Sequence, residues 1–169
     1  MKKYFNKISA VPLLGAFLLA FTLLTSCEQT DYPPNLSAAP GGGTISTYKA
    51  YTLASTDSKN VYGRVVFYKY SAAVTLVQMG LYNGTADASY TSAIFPGKVT
   101  ATSATALKAL DSVNGSTGEF ATAKYFTITD SGFYDKLDTY DANVVVMAGT
   151  AIIASGNIGA NAAPVSKSE

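Results

Sequence analysis

Between residues 61 and 81 the chain crowds β-branched and aromatic side chains into two runs that are too short to make a buried helix. The first run holds Val61, Tyr62, Val65, Val66, Phe67, Tyr68 and Tyr70. The second places Val77, Met79 and Leu81 on one parity, so that one face of an extended strand is apolar. Asn83-Gly84 follows as a hairpin-type turn signal. A chain that begins this way is committed to pairing strands.

The rest of the sequence continues in the same style. Residues 44–55 carry Ile45, Tyr51 and Leu53 on one parity and predict a first strand, and residues 56–60 predict a turn. Ala93-Ile94-Phe95 predicts a short strand before Pro96-Gly97. Residues 104–110 fit a strand or a helical turn, and residues 111–118 predict a loop rich in Asp, Asn, Ser and Gly. Residues 120–129 predict a strand. Phe133, Tyr134, Leu137 and Tyr140 have the spacing of a short helix within 131–141. Residues 144–148 and 151–155 predict a closing hairpin about Gly149-Thr150, and residues 164–169 a polar tail. This makes about seven or eight short strands with turn signals about every ten residues, the pattern of an all-β sandwich or Greek-key barrel. The predicted domain is 44–163.

The N-terminus is of another kind. Lys2, Lys3 and Lys7 precede an almost wholly apolar stretch, residues 8–24, and small residues close it before Cys27, the single cysteine. This is the layout of a secretory signal. The run is also about long enough for a marginal membrane span, but Thr25, Ser26 and Cys27 favour cleavage over retention. Leu24-Thr25-Ser26-Cys27 resembles the lipobox of bacterial lipoproteins, in which the cysteine thiol takes a diacylglycerol and becomes the first residue of the mature chain. Several acyl chains would anchor it stably. The expectation is a signal peptide over 1–26, a lipidated Cys27, a tether over 27–43 marked by Pro33, Pro34, Pro40 and Gly41 to Gly43, and a cell-envelope location. Outer-membrane attachment with the domain facing the periplasm or the exterior is the form expected. Its partner on that side is the membrane, through the lipid.

Removing residues 1–26 takes three of the 12 basic residues and none of the 11 acids, which leaves a formal charge near −2. No basic patch remains to suit nucleic acid. There is no histidine, hence no Ser–His catalytic pair and no imidazole metal ligand, and no thiol is left once Cys27 is lipidated. Gly156-Asn157-Ile158-Gly159 lacks the lysine and the following helix of a phosphate-binding loop. The chain therefore reads as a non-enzyme without a cofactor, although counting residues does not exclude carboxylate-pair hydrolysis.

Several segments in order resemble the CHRD domain. Gly63 precedes Val74-Thr75-Leu76-Val77 and Gly80-Leu81. The loop Leu110-Asp111-Ser112-Val113-Asn114-Gly115-Ser116-Thr117-Gly118, the stretch Tyr134-Asp135-Lys136-Leu137 with Tyr140-Asp141-Ala142-Asn143-Val144-Val145-Val146, and the ending Ile152-Ile153-Ala154-Ser155-Gly156-Asn157-Ile158-Gly159-Ala160-Asn161 are each similar to a piece of that family. The resemblance covers about residues 60–161 and implies an immunoglobulin-like or superoxide-dismutase-like β-sandwich. It also implies a departure. The family's His-x-His motif falls where this chain has Thr91-Ser92-Ala93-Ile94-Phe95, and a second family histidine falls within residues 144–147.

Two groups of residues can be read as sites. Asp130, Asp135, Asp138 and Asp141 are either calcium ligands or turn and helix-cap aspartates; their spacing is not that of an EF-hand, and the second reading is the simpler. Tyr62, Tyr68 and Tyr70, with Tyr48, Tyr51 and Tyr82, are either an interaction surface for an envelope protein or glycan or half-buried strand residues. Three functions follow as expectations: a lipid-anchored binding or structural module, a calcium-dependent module, or a subunit of a surface assembly.

Overall fold

A computed structural model describes residues 45–56, 60–99 and 105–165 of the 169. The expected signal peptide, Cys27, the tether, most of the 56–60 turn and residues 166–169 lie outside the described residues.

The fold is all-β. The strands are β1 (Tyr48–Ser55), β2 (Tyr62–Lys69), β3 (Thr75–Tyr82), β4 (Ser89–Pro96), β5 (Lys108–Ala109), β6 (Val113–Asn114), β7 (Phe126–Ile128), β8 (Asp141–Ala148) and β9 (Ala151–Gly159). One helical turn, α1 (Phe133–Lys136), runs directly into a 3-10 turn, Leu137–Thr139. All strand pairs are antiparallel, in the order β5-β4-β8-β9-β1-β2-β3-β7, with β6 beside the start of β4.

This single sheet curls into two facing halves. β1 and β9 join them through Ala54–Ser155, Ser55–Ala154 and, at Thr56, bonds from its N–H to the Ile153 carbonyl and from its hydroxyl to the Ile152 carbonyl. Beyond that corner the two strands diverge around a cleft of about 490 Å³, and the Val165 N–H donates to the Ala50 carbonyl at 2.7 Å. The chain thus stays attached past residue 163, where the polar tail was expected to begin.

Strand periodicity explains the core. Tyr51 and Leu53, Val65 and Phe67, and Val77, Met79 and Leu81 point inward from one half. Tyr90, Ile94, Val144, Val146, Ala154 and Ile158 meet them from the other, in one buried cluster. Phe133 and Leu137, one helical turn apart, close an open end of this core, with Phe133 6.1 Å from the Phe67 ring and 5.2 Å from that of Tyr140.

The sheet's outer edges are kept short. β5 and β7 have two and three residues. Lys108 and Asp130 pair across the gap beside them at 2.8 Å. The 113–120 loop spans the other seam: Gly115 donates to the Ala88 carbonyl beside β4, and the Leu81 N–H of β3 donates to the Gly118 carbonyl.

Several strands differ from the sequence-based expectation: β6 falls within the expected 111–118 loop, β8 starts at Asp141 rather than at 144, β9 runs on to Gly159 rather than ending at 155, and β4 and β7 differ more. β4 starts four residues before Ala93. Its early residues are polar, but the buried Ser92 hydroxyl donates to the Asp111 carbonyl at 2.7 Å, and the Tyr90 hydroxyl accepts the Thr85 N–H. Of the strand expected over 120–129, β7 keeps only the end. The Asp111 carboxylate accepts both the N–H and the hydroxyl of Thr122 and the N–H of Ser112, and so holds the chain in a loop. The Thr122 hydroxyl is the main reason that this carboxyl titrates below its usual range.

Candidate binding face

The aspartates come first, because the fold assigns most of them another task. Asp138 pairs with Lys49 of β1 at 2.8 Å, Asp135 with Lys69 of β2 at 2.6 Å, and Asp130 with Lys108 of β5. Asp141 accepts from the Asn161 amide at 2.7 Å. Each carboxylate faces a different strand or turn. They staple the 130–139 segment across the end of the sandwich rather than converging on a point. Among the described residues no three acidic, cysteine or histidine side chains gather where they could hold a metal ion.

Exposed ion pairs contribute little, and the three are not equal. Lys49 has the least exposed lysine side chain, and its ammonium also lies 4.7 Å from the Tyr134 ring centre. A double-mutant cycle between Lys49→Ala and Asp138→Ala, read by urea unfolding, is expected to give a coupling of about 0.5–1 kcal/mol. The Lys69–Asp135 and Lys108–Asp130 cycles should fall below it. Equal couplings at all three would show that the Tyr134 environment adds nothing.

The outward parity of β1, β2 and β3 builds the candidate face. In register it reads Tyr48–Tyr68–Leu76, then Ala50–Val66–Gln78, then Thr52–Arg64–Gly80, then Tyr62–Tyr82. Tyr62 and Tyr82 are a cross-strand pair with stacked rings, 5.3 Å between centres and 29° apart, and remain 42% and 60% exposed. At the other end Tyr68 packs against Tyr48 and Tyr125, each 5.8 Å away, and donates its hydroxyl to the Gln78 side-chain oxygen at 2.9 Å. Between these aromatic ends stand the buried Ala50, the half-buried Val66 and Gln78, then Thr52, the exposed Arg64 and the bare backbone of Gly80. A Cβ added at Gly80 would meet nothing within 4 Å. Among the described residues Arg64 makes no ion pair.

The tyrosines foreseen as a surface therefore separate. Tyr62 and Tyr68 do share the face, but six residues put them about 20 Å apart. Tyr70 is exposed beyond the end of β2, and Tyr51 is buried in the core. Arg64, Gln78, Gly80 and Tyr125 were not foreseen. Their signal was present in the even-numbered parity of residues 62–68, opposite the buried Val65 and Phe67, and in a glycine within a strand pattern.

The other half of the sheet has a different outer face. Ala93, Phe95 and Val145 point outward there, yet Phe95 is 8% exposed and Val145 1%, in a second apolar cluster with Ala106 and Met147. The ends of the 97–107 segment are tied down over it: Asn143 donates to the Gly97 carbonyl, Val99 to the Asn157 side chain, and Leu107 to the Ile94 carbonyl. Among the described residues one outer face is covered, and the face of β1–β3 is not.

The tyrosines also set an alkaline limit. Burial is the leading cause that raises Tyr51, Tyr68 and Tyr134 above the ordinary value near 10. The Tyr51 hydroxyl makes no well-formed hydrogen bond, and the neighbouring Gly159 backbone offsets its burial only in part. As pH rises past about 10 the unfolded chain gives up these protons first, so stability falls until the pH has passed the raised native values. Urea midpoints from about pH 8 to 11, with tyrosinate absorbance followed in parallel, should show this fall, and Tyr51→Phe should make it shallower. A flat profile would contradict the burial of these hydroxyls.

No protein family, characterised protein or solved structure matches this chain.

Proposed function

We propose that this is a lipid-anchored bacterial envelope protein whose CHRD-like β-sandwich is a non-catalytic binding module, and that it binds through the outer face of β1–β3. The observation that carries the proposal is the asymmetry of the two outer faces. One is sealed by its own chain, while the other leaves stacked aromatic rings in solvent. Tyrosine suits such a surface because its ring packs while its hydroxyl stays hydrated. The lipobox at residues 24–27 supports the anchor.

The CHRD likeness rests on the order of its segments, which fall on β3, the 110–118 loop, α1 with β8, and β9. The stretches where the family's histidines would lie, 91–95 and 144–147, are neighbours in β4 and β8, paired through Thr91–Met147, Ala93–Val145 and Ile94–Val144. Here the outward side chains at those positions are largely apolar and pack together. Binding is thus better supported than metal chemistry.

Two measurements test this. Expressed in a bacterial host, the full chain should partition into the detergent phase, and Cys27→Ser should lose that partitioning. A chain whose partitioning ignores Cys27 has no lipid anchor there. The full chain should also cosediment with delipidated envelope fragments, and the double variant Tyr62→Ala/Tyr82→Ala should not. Unchanged cosedimentation would remove the face from the proposal.

A further inference from the structure

Resting on that reading, we infer that the open face of β1–β3 takes an acidic polysaccharide, with the sugar's anionic group on Arg64 and its ring against the Tyr62–Tyr82 pair, over the gap at Gly80. Three observations select this ligand.

The first is charge. The outward positions of β1, β2, β3 and β7 carry Arg64 and no acid. Among the described residues Lys49, Lys69 and Lys108 are each matched by an aspartate, and the lysines that make no ion pair, Lys98, Lys124 and Lys136, lie outside these strands. An arginine left unmatched in the middle of an open face is complementary to an anion, and its planar fork fits a carboxylate or sulfate through two parallel N–H bonds.

The second is shape. From Gln78 to Tyr82 is about 13 Å along β3, and the middle position has no side chain. The floor at Gly80 is bare backbone, with the aromatic pair on one side and Gln78 on the other. The Tyr68 hydroxyl occupies the Gln78 oxygen, which leaves the amide N–H₂ as the donor for a sugar hydroxyl or ring oxygen. The ring of a sugar has an apolar C–H face for the tyrosines and a polar rim for Arg64, Thr52 and Gln78.

The third is what the face lacks. A stable protein partner is usually anchored by a large, well-packed side chain near the centre of about 800 Å² on each side. Here the two central rows are Ala50–Val66–Gln78 and Thr52–Arg64–Gly80, with Ala50 buried, so the centre offers no large apolar anchor and the aromatic rings lie at the two ends.

The test is a titration of the full chain, in mild detergent, with polygalacturonate, heparin and uncharged dextran. Polygalacturonate is expected to bind, more weakly as salt rises, and dextran is not. Arg64→Ala should weaken binding about tenfold or more, and Arg64→Lys should recover only part. Gly80→Val should weaken it comparably while the melting temperature holds or rises, because a β-branched residue suits an exposed strand site with empty space beside it. Binding of heparin in place of polygalacturonate, with the same dependence on Arg64 and Gly80, assigns the anion as sulfate. The inference is overturned if neither charged polymer binds, or if Arg64→Ala and Gly80→Val bind as wild type does. If Gly80→Val does not fold, the two Arg64 variants decide alone. Flat titrations, together with envelope cosedimentation that still depends on Tyr62 and Tyr82, would sink the glycan assignment and leave the binding face to a protein partner. Loss of both would sink the face itself.

Discussion

Replacing Gly159 by alanine is expected to cost about 3 kcal/mol or more and to lower the melting temperature by about 10 °C or more. Gly159 ends β9 with φ +67° and pairs with Asp141. A Cβ there would run into the Tyr140 carbonyl oxygen and come within 2.6 Å of that of Leu137. Both carbonyls are already engaged, Leu137 by the Tyr140 N–H and Tyr140 by the Ala160 N–H at 2.9 Å. Neither can move aside without breaking the turn that caps the core. Two penalties therefore combine, a left-handed backbone conformation unfavourable to alanine and a clash with fixed backbone. Gly149→Ala separates them. Gly149 has φ +61° in the two-residue turn between β8 and β9, and nothing lies within 4 Å of its added Cβ. It should lose only the conformational part, about 1–2 kcal/mol. Urea midpoints for the two variants decide the matter, and equal losses would mean that the approach of β9 to the 137–140 turn is not as close as described.

Phe67→Ala is expected to be the most damaging change among the core residues of the strands, at about 3–5 kcal/mol. Phe67 is fully buried in the middle of β2. Its ring meets Tyr51 edge-on at 6.1 Å and Phe133 at 6.1 Å, so it joins β1, β2 and the helical turn through one side chain. Truncation loses the buried area and leaves a cavity that three elements would have to collapse to fill. Against the 5–15 kcal/mol typical of a domain, a loss of this size takes a large share of total stability. Phe67→Leu keeps most of the volume and should cost less than half as much. Thermal unfolding followed by near-ultraviolet circular dichroism reports both variants, and a Phe67→Ala protein that melts within a few degrees of wild type would place Phe67 outside the core.

The alternation in residues 61–68 and 77–81 was enough to identify β2 and β3 and to pick their inward side chains, because a period of two with one apolar face has one good use in water. The same holds for the apolar runs that became β8 and β9 and for the Phe133–Tyr140 spacing that became the helical turn. Ser92, on the inward parity, hid the first half of β4, since whether a polar residue can be buried depends on a partner, here the Asp111 carbonyl, that is distant in sequence. Thr122 shortened β7 in the same way, through a carboxylate eleven residues earlier.

The candidate face divides along that line. The sequence by itself determined the strand-rich class, the inward and outward parity of each long strand, and the lack of histidine chemistry, because these depend only on residue type and local period. The tertiary structure alone decided that Asp130, Asp135 and Asp138 would meet three different lysines and that Tyr62 would stack on Tyr82. It also decided that the outward apolar residues of β4 and β8 would be buried in a cluster of their own, while among the described residues Arg64 and Gly80 stayed open. The physical reason is that register, and the order in which strands lie beside one another, join residues twenty to ninety positions apart, and no local pattern carries that pairing.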